Sequence, residues 1–143
     1  MAAADTDARG WTNVLGDVPL FAGLSRRHLG KVAAVGTIRR FHSGTAIVRA
    51  GEPGDALYVV LDGQVSVRRR GLPAVKLGAG SFFGEMALLD GGTRSASVIA
   101  DDAVACLTIA QSRFLKLLQA EPAIAVGILK ELAARLRAAQ STL

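Results

Sequence analysis

From Thr37 to Ala110 apolar and polar residues alternate in short runs, and on both sides of that stretch the spacing lengthens to the three and four of a helix. The alternating runs are "TIRRF", "TAIVR", "ALYVVLD", "QVSVRR", "AVKL", "SASVIA" and "AVACLTIA". Glycines punctuate them, and most follow one another with no helical segment between. So many short strands at close spacing predict a mainly β protein, an antiparallel jelly roll, with helices at its flanks.

Residues 1–16 carry no pattern that demands structure and are expected to form a loose N-terminus, with one domain over 17–143. "VPLFAGLS" brings a proline and apolar anchors up to Ser25, a good N-cap for the helix "RRHLGKVAAVG". Leu29, Val32 and Ala33 give that helix its apolar face, and Gly36 ends it. After the strands, Ser112 is expected to cap "RFLKLLQA", and Glu121-Pro122 breaks the helix and restarts it, since proline suits a first helical turn. In the last helix Ile124, Ile128, Leu129, Leu132 and Leu136 fall in one broad apolar sector. Arg135 projects about 20° from Ile124, at the edge of that face, while Lys130 and Arg137 point away from it.

Composition narrows the function. The chain has 143 residues, half of them apolar, enough for one compact domain. No run approaches the length of a membrane-spanning helix. Cys106, the only cysteine, lies in an alternating apolar stretch and reads as a core thiol, in keeping with a reducing cytoplasm. A net charge of +5 raises the question of nucleic acid. The run Arg68-Arg69-Arg70 stands before Gly71 at a hairpin tip, where charges are normally solvated. With 5% aromatic residues the chain also lacks a stacking platform for single strands.

Catalytic chemistry is poorly provided for. His28 and His42 are isolated, and the ligand cluster of a metal-binding jelly roll is missing. Neither a nucleophile elbow nor a phosphate-binding P-loop is present, and Asp101-Asp102 reads as an acidic turn. The segment 81–98, "SFFGEMALLDGGTRSASV", is different. Gly84 lets the backbone leave a strand sharply, "EMALL" supplies a turn or two of helix, and Gly91-Gly92 returns the chain toward the sheet. Arg94 with neighbouring backbone N–H groups would suit an anion. Glu85 would repel a phosphate, yet it could accept from a sugar hydroxyl. The competing reading is a surface Glu–Arg pair of small energetic consequence.

"FGEMALLDGGTRSASV" resembles the phosphate-binding cassette of the cyclic nucleotide-binding domain family, which includes bacterial catabolite activator proteins, regulatory subunits of cyclic-AMP-dependent kinase and nucleotide-gated channels. "GEPGDALYVVLDGQVSV" is similar to that family's glycine-rich turn and flanking strands, and "VPLFAGLSRRHL" to its helical entry. The resemblance implies that Arg94 pairs with the cyclic phosphate and that Glu85 accepts the ribose 2′-hydroxyl. It also implies that backbone N–H groups around Gly84, Met86, Ala87, Ser95 and Ala96 complete the cradle. Val67 and Val75 become candidates for the wall against the base, and Arg135 for a lid over it. Thr93 stands where many members carry proline. Ser95 follows the arginine, as in many bacterial members, and its hydroxyl could reach the phosphate or the amino group of a syn guanine.

The function so implied is that of a non-catalytic receptor, needing no cofactor, for cyclic AMP in preference to cyclic GMP, whose C-terminal helices move when ligand binds. Leu88 and Leu89 would carry the movement from the cassette to those helices. No helix-turn-helix follows the last helix and no membrane span precedes Asp17, which leaves a stand-alone cytoplasmic sensor or the excised sensor of a longer chain, and the first is the expectation. It would act on an effector protein and could form a homodimer through the last helix. Two alternatives remain: a basic nucleic-acid-binding domain, and a ligand-independent structural adaptor with a vestigial cassette.

Overall fold

The computed structural model describes residues 8–141. Two four-stranded antiparallel sheets form a β roll, with helices packed on one side. The first sheet has the order β1 (Thr37–Phe41), β8 (Val104–Ala110), β3 (Ala56–Asp62), β6 (Phe82–Phe83). The second runs β2 (Ala46–Val48), β7 (Ser97–Ala100), β4 (Val65–Arg68), β5 (Val75–Leu77). The mainly β architecture with flanking helices is the one the alternation predicted. Strand β6, only two residues long, was not among the alternating runs.

Strand β3 reads as a continuous apolar run because both of its faces are buried. Leu57 and Val59 face the helices, in a cluster with Leu107 and Ile109 of β8 and with Phe21, Val32 and Leu88. Ala56, Tyr58 and Val60 face the inside of the roll, with Val65, Val98, Val104 and Cys106. A strand between two apolar layers loses the polar half of its alternation. Fully burying each such side chain is worth roughly 1.5–3 kcal/mol, so this shared strand anchors both layers.

The helices are α1 (Ala8–Gly16), α2 (Arg26–Ala34), α3 (Ala87–Asp90), α4 (Gln111–Ala120) and α5 (Pro122–Ser141), with a short 3-10 turn at Pro19–Phe21. Helix α1 corrects the expected loose terminus up to residue 16: Trp11, Val14 and Leu15 follow helical spacing, and Leu15 is fully buried. The remainder of that expected segment, residues 1–7, lies outside the described residues. Ser25 caps α2 as expected, accepting from the backbone N–H of His28 at 3.2 Å. Ser112 does not cap α4, which begins one residue earlier with Ala110 at the cap position. The chain runs directly from β8 into α4, and Gln111 N–H donates to the Asp55 carbonyl at 2.8 Å.

Helix α5 is held by its first half. Ile124 and Ile128 are buried, and Gly127 lets the helix approach the N-terminal turn so closely that a Cβ there would stand 2.8 Å from Leu24 Cδ2. Lys31 of α2 bonds Glu121 at the junction of α4 and α5. Further along, Leu132 packs against the core, but Leu129 and Leu136 are 64% and 61% exposed. The expected apolar sector is therefore covered only in part, because this helix outruns the body on which it rests.

Candidate functional site

The glycine-rich turn at 51–54 and the segment 92–94 clamp each other through backbone bonds. Gly51 N–H donates to the Arg94 carbonyl at 2.9 Å, Arg94 N–H to Glu52 at 2.8 Å, and Gly54 N–H to Gly92 at 2.9 Å. A Cβ on Gly54 would collide with that of Ala87, so the turn must be bare where it meets α3. This explains why two motifs forty residues apart occur together. Neither bond that flanks the Pro53–Thr93 pair uses the Thr93 N–H, so a proline at 93 would preserve the same ladder.

Gly84 turns with φ 84°, a region that L side chains rarely adopt. A Cβ there would also strike Arg94 Nη1 and lie 2.6 Å from the Ala56 carbonyl. The reason is the guanidinium behind it. Arg94 is buried, donates from Nη2 to the Ala56 carbonyl at 2.9 Å, and lies with its Cζ 5.8 Å from the centre of the Tyr58 ring. Its nearest carboxylate, Asp55, is 3.8 Å away and 86% exposed, a weak counterion for a buried cation. Tyr58 in turn stacks on Phe83 with ring centres 5.0 Å apart. Burial raises the Tyr58 hydroxyl's pKa, with Arg39 and Arg94 opposing the rise, and Arg39 Nη1 donates to that hydroxyl at 3.3 Å.

Arg94 opens onto a cavity of about 530 Å³. Gly84, Glu85, Met86 and Ala87 line it from one side, Arg94, Ser95 and Ala96 from another, and Val48, Val67, Leu77, Phe82 and Phe83 give it an apolar wall. Among the described residues, the N–H groups of Met86, Ser95 and Ala96 find no backbone acceptor. The cavity thus offers a buried cation, spare backbone donors, a carboxylate and an apolar surface, a donor set suited to an anionic ligand with an apolar ring.

Eight of the ten residues expected at the site line this cavity: Gly84, Glu85, Met86, Ala87, Arg94, Ser95, Ala96 and Val67. Val75 does not. It pairs with Val67 across the strands, but it lies on β5 at the sheet edge and is 52% exposed, so the wall comes from Leu77 instead. Arg135 is also outside the lining, but it touches the site, donating from Nη1 to Glu85 Oε1 at 2.8 Å. Its Nε is 3.9 Å from Glu131, and its Nη2 is buried with no partner among the described residues. Arg69, expected at a solvated tip, lines the cavity. The missed signal was alternation: Val65, Val67 and Arg69 share one face of β4 and its continuation.

The sequence profile of the cyclic nucleotide-binding domain matches residues 38–121, more than half of the chain. The chain belongs to the cyclic nucleotide-binding domain family. It is 39% identical over 117 residues to the cyclic nucleotide-gated potassium channel mll3241 of Mesorhizobium japonicum, a match spanning 82% of this chain and 32% of the channel. It is 36% identical over 126 residues to the cyclic AMP receptor protein of Thermus thermophilus, spanning 85% of this chain and 58% of that protein. It thus covers under two thirds of either relative. Among solved structures, the N-terminal domain of a transcriptional regulator from Streptomyces coelicolor A3(2) superposes with a TM-score of 0.81 at 30% identity, covering 91% of this chain and 96% of that one. Among the described residues no helix is long and apolar enough to cross a membrane.

Proposed function

We propose that this chain is a non-catalytic receptor for a 3′,5′-cyclic nucleotide. The phosphate pairs with Arg94 and with backbone donors around Gly84, Met86, Ala87, Ser95 and Ala96. The ribose 2′-hydroxyl donates to Glu85, and the base rests on Val67 and its neighbours. The observation that carries this reading is Arg94, a buried guanidinium that faces an open cavity with one carbonyl acceptor and a distant, exposed carboxylate. A cation is costly to bury without a partner, and a bound phosphate supplies one. The sequence favours cyclic AMP, with cyclic GMP the alternative; the phosphate and ribose contacts serve both.

The output is movement of α5. Arg135 joins that helix to Glu85, and Leu88 of α3 is buried in the cluster that includes Phe114 of α4 and Ile124 of α5. Val126, Leu129 and Leu136 leave an apolar stripe exposed on α5, spaced as in a coiled-coil seam. A second copy of the chain or an effector protein is the proposed occupant, in the cytoplasm. Sedimentation at rising concentration checks the dimer, which a concentration-independent monomer would exclude.

The receptor itself is tested by thermal unfolding with cyclic AMP, cyclic GMP and 5′-AMP, for the native chain and for Arg94→Ala. A ligand at about 100 times its Kd stabilises by about 2.7 kcal/mol, an easily measured rise in Tm. Arg94→Ala should lose about 1.5–3 kcal/mol of binding, at least tenfold in affinity. An unmoved Tm with every nucleotide would sink the receptor in favour of the ligand-independent adaptor. Salt-dependent binding to DNA or RNA that ignores Arg94 would favour the nucleic-acid reading instead.

A further inference from the structure

Two charged side chains lining the cavity, Asp90 and Arg69, have no part in holding phosphate or ribose; Asp90 accepts from the Gly92 N–H at 2.7 Å, which leaves Arg69. On β4, Val65 is buried and Val67 lines the cavity, and Arg69 follows with the same period. The register aligns Val65 with Ala100 and Val67 with Val98 of β7, so two residues further on Arg69 comes beside Ala96 at the bend that leads into β7. Arg69 is exposed at the rim, its carbonyl accepts from the Leu72 N–H at 3.1 Å, and its guanidinium has no hydrogen-bond or ion-pair partner among the described residues. Arg94, by contrast, is buried and fixed by Ala56.

Alternate residues of a strand are about 6.6–6.8 Å apart, roughly the length of a purine. A side chain one step beyond Val67 therefore lies off the end of a base resting on that valine and meets its edge. A guanidinium presents paired donors. The O6 and N7 of guanine or hypoxanthine are paired acceptors that match them, whereas adenine places an amino donor where O6 would be. We propose that Arg69 is a base-reading residue, donating to the O6/N7 edge of a 6-oxopurine cyclic nucleotide that lies on the Val67–Leu77 wall. This rests on the cavity being a cyclic nucleotide site, and it tilts selectivity toward cyclic GMP, against the preference for cyclic AMP read from the sequence. Ser95, also in the lining, is a separate contact whose hydroxyl could accept from the 2-amino group of guanine, a group that hypoxanthine lacks.

The test is calorimetric titration of the native chain, Arg69→Ala, Arg69→Lys and Arg94→Ala with cyclic GMP, cyclic IMP, cyclic AMP and 7-deaza-cyclic GMP at one salt concentration. Arg69 is exposed, so its variants should unfold without ligand at the native Tm. Arg69→Ala should bind cyclic GMP and cyclic IMP about tenfold more weakly, with cyclic AMP changed less than about threefold. Arg69→Lys should restore only part of the loss, because an ammonium is a point charge and not a fork. The native chain should bind 7-deaza-cyclic GMP more weakly than cyclic GMP. Equal losses for all three natural bases, or no loss at all, would overturn base reading while leaving the receptor intact, provided Arg94→Ala abolishes binding. If no cyclic nucleotide binds the folded native chain, the receptor reading falls and the role of Arg69 falls with it.

Discussion

Replacing Arg135 with alanine should loosen the second half of α5 and leave the β roll intact. Beyond the buried Ile128, the helix is held to the body by the partly buried Leu132 and by the Arg135–Glu85 bond at 2.8 Å. The side chains of that pair are 34% and 12% exposed, between a surface pair worth 0.2–1 kcal/mol and a charged hydrogen bond out of water worth 1.5–3 kcal/mol. Screening at the arginine end places the expected cost near the lower range, about 1 kcal/mol. That corresponds to an approximately fivefold rise in the population of the opened segment. Hydrogen exchange read in peptides covering residues 129–138 should quicken by about that factor, while β3 and β8 stay unchanged. Glu85→Gln, which keeps an acceptor without its charge, should fall between the native chain and the alanine variant. Arg137→Ala on the solvated side should have no effect. Equal exchange over 129–138 in the native chain and Arg135→Ala would show that the bond holds nothing, and the coupling of cassette to helix would have to be sought elsewhere.

Arg94→Ala should show opposite signs in two assays: weaker ligand binding, and an unliganded Tm equal to or above the native value, because a poorly compensated buried cation has been removed. A large loss of unliganded stability would instead make Arg94 structural. Gly84→Ala meets both a left-handed φ and the collision with Arg94, so it should destabilise by more than about 1 kcal/mol, measurable by denaturant unfolding, and weaken binding. Burial pushes the Cys106 thiol from 9.0 up to about 12, so its folded pKa lies above the unfolded one. Stability should be unaffected below pH 9 and decline between about pH 9 and 12, where only the unfolded thiol ionises. Cys106→Ser should flatten that alkaline limb, and alkylation of the native thiol at neutral pH should proceed no faster than unfolding.

All the strands but β6 were legible because each obeys a local rule, and β3 was recovered although both faces are buried, since its β-branched and aromatic residues between turn signals mark a strand by themselves. Helix α1 was not read from the sequence, although Trp11, Val14 and Leu15 are spaced for one. The cassette could be read because its chemistry is contiguous: glycine, carboxylate, helix turn, glycines and arginine all fall between Gly84 and Arg94. What local reading could not supply was anything set by pairing across the fold. The clamp between 51–54 and 92–94 is a matter of backbone bonds and leaves only its glycines in the sequence. Val75 and Arg69 changed places for the same reason. The family resemblance implied both valines for the wall, but Val75 sits on an edge strand, while Arg69 lines the cavity from the start of the hairpin turn.

The arrangement limits how ligand binding could reach a partner. Helix α5 is pinned at its start by Ile124, Ile128 and the close contact at Gly127, and the α4–α5 junction is fixed to α2 by the Lys31–Glu121 bond. That bond lowers the pKa of the Glu121 carboxyl, so the junction stays fixed at neutral pH and loosens only as acid protonates Glu121. The movement proposed for this helix is therefore expected beyond Ile128, where Leu129 and Leu136 are exposed and a partner would sense it. Among the described residues Glu85 is the one cassette residue hydrogen-bonded to that half, and its Oε1 is already occupied by Arg135. A ribose that merely competes for this carboxylate can change the open-to-closed ratio by no more than the bond is worth, about fivefold for 1 kcal/mol. Driving the ratio from 1:99 to 99:1 needs about 5.5 kcal/mol of differential binding. Under the proposed function, a switch of that depth would require the base itself to touch α5 in one state and not in the other, with the wall of β4 and the second half of α5 on opposite faces of the same ring.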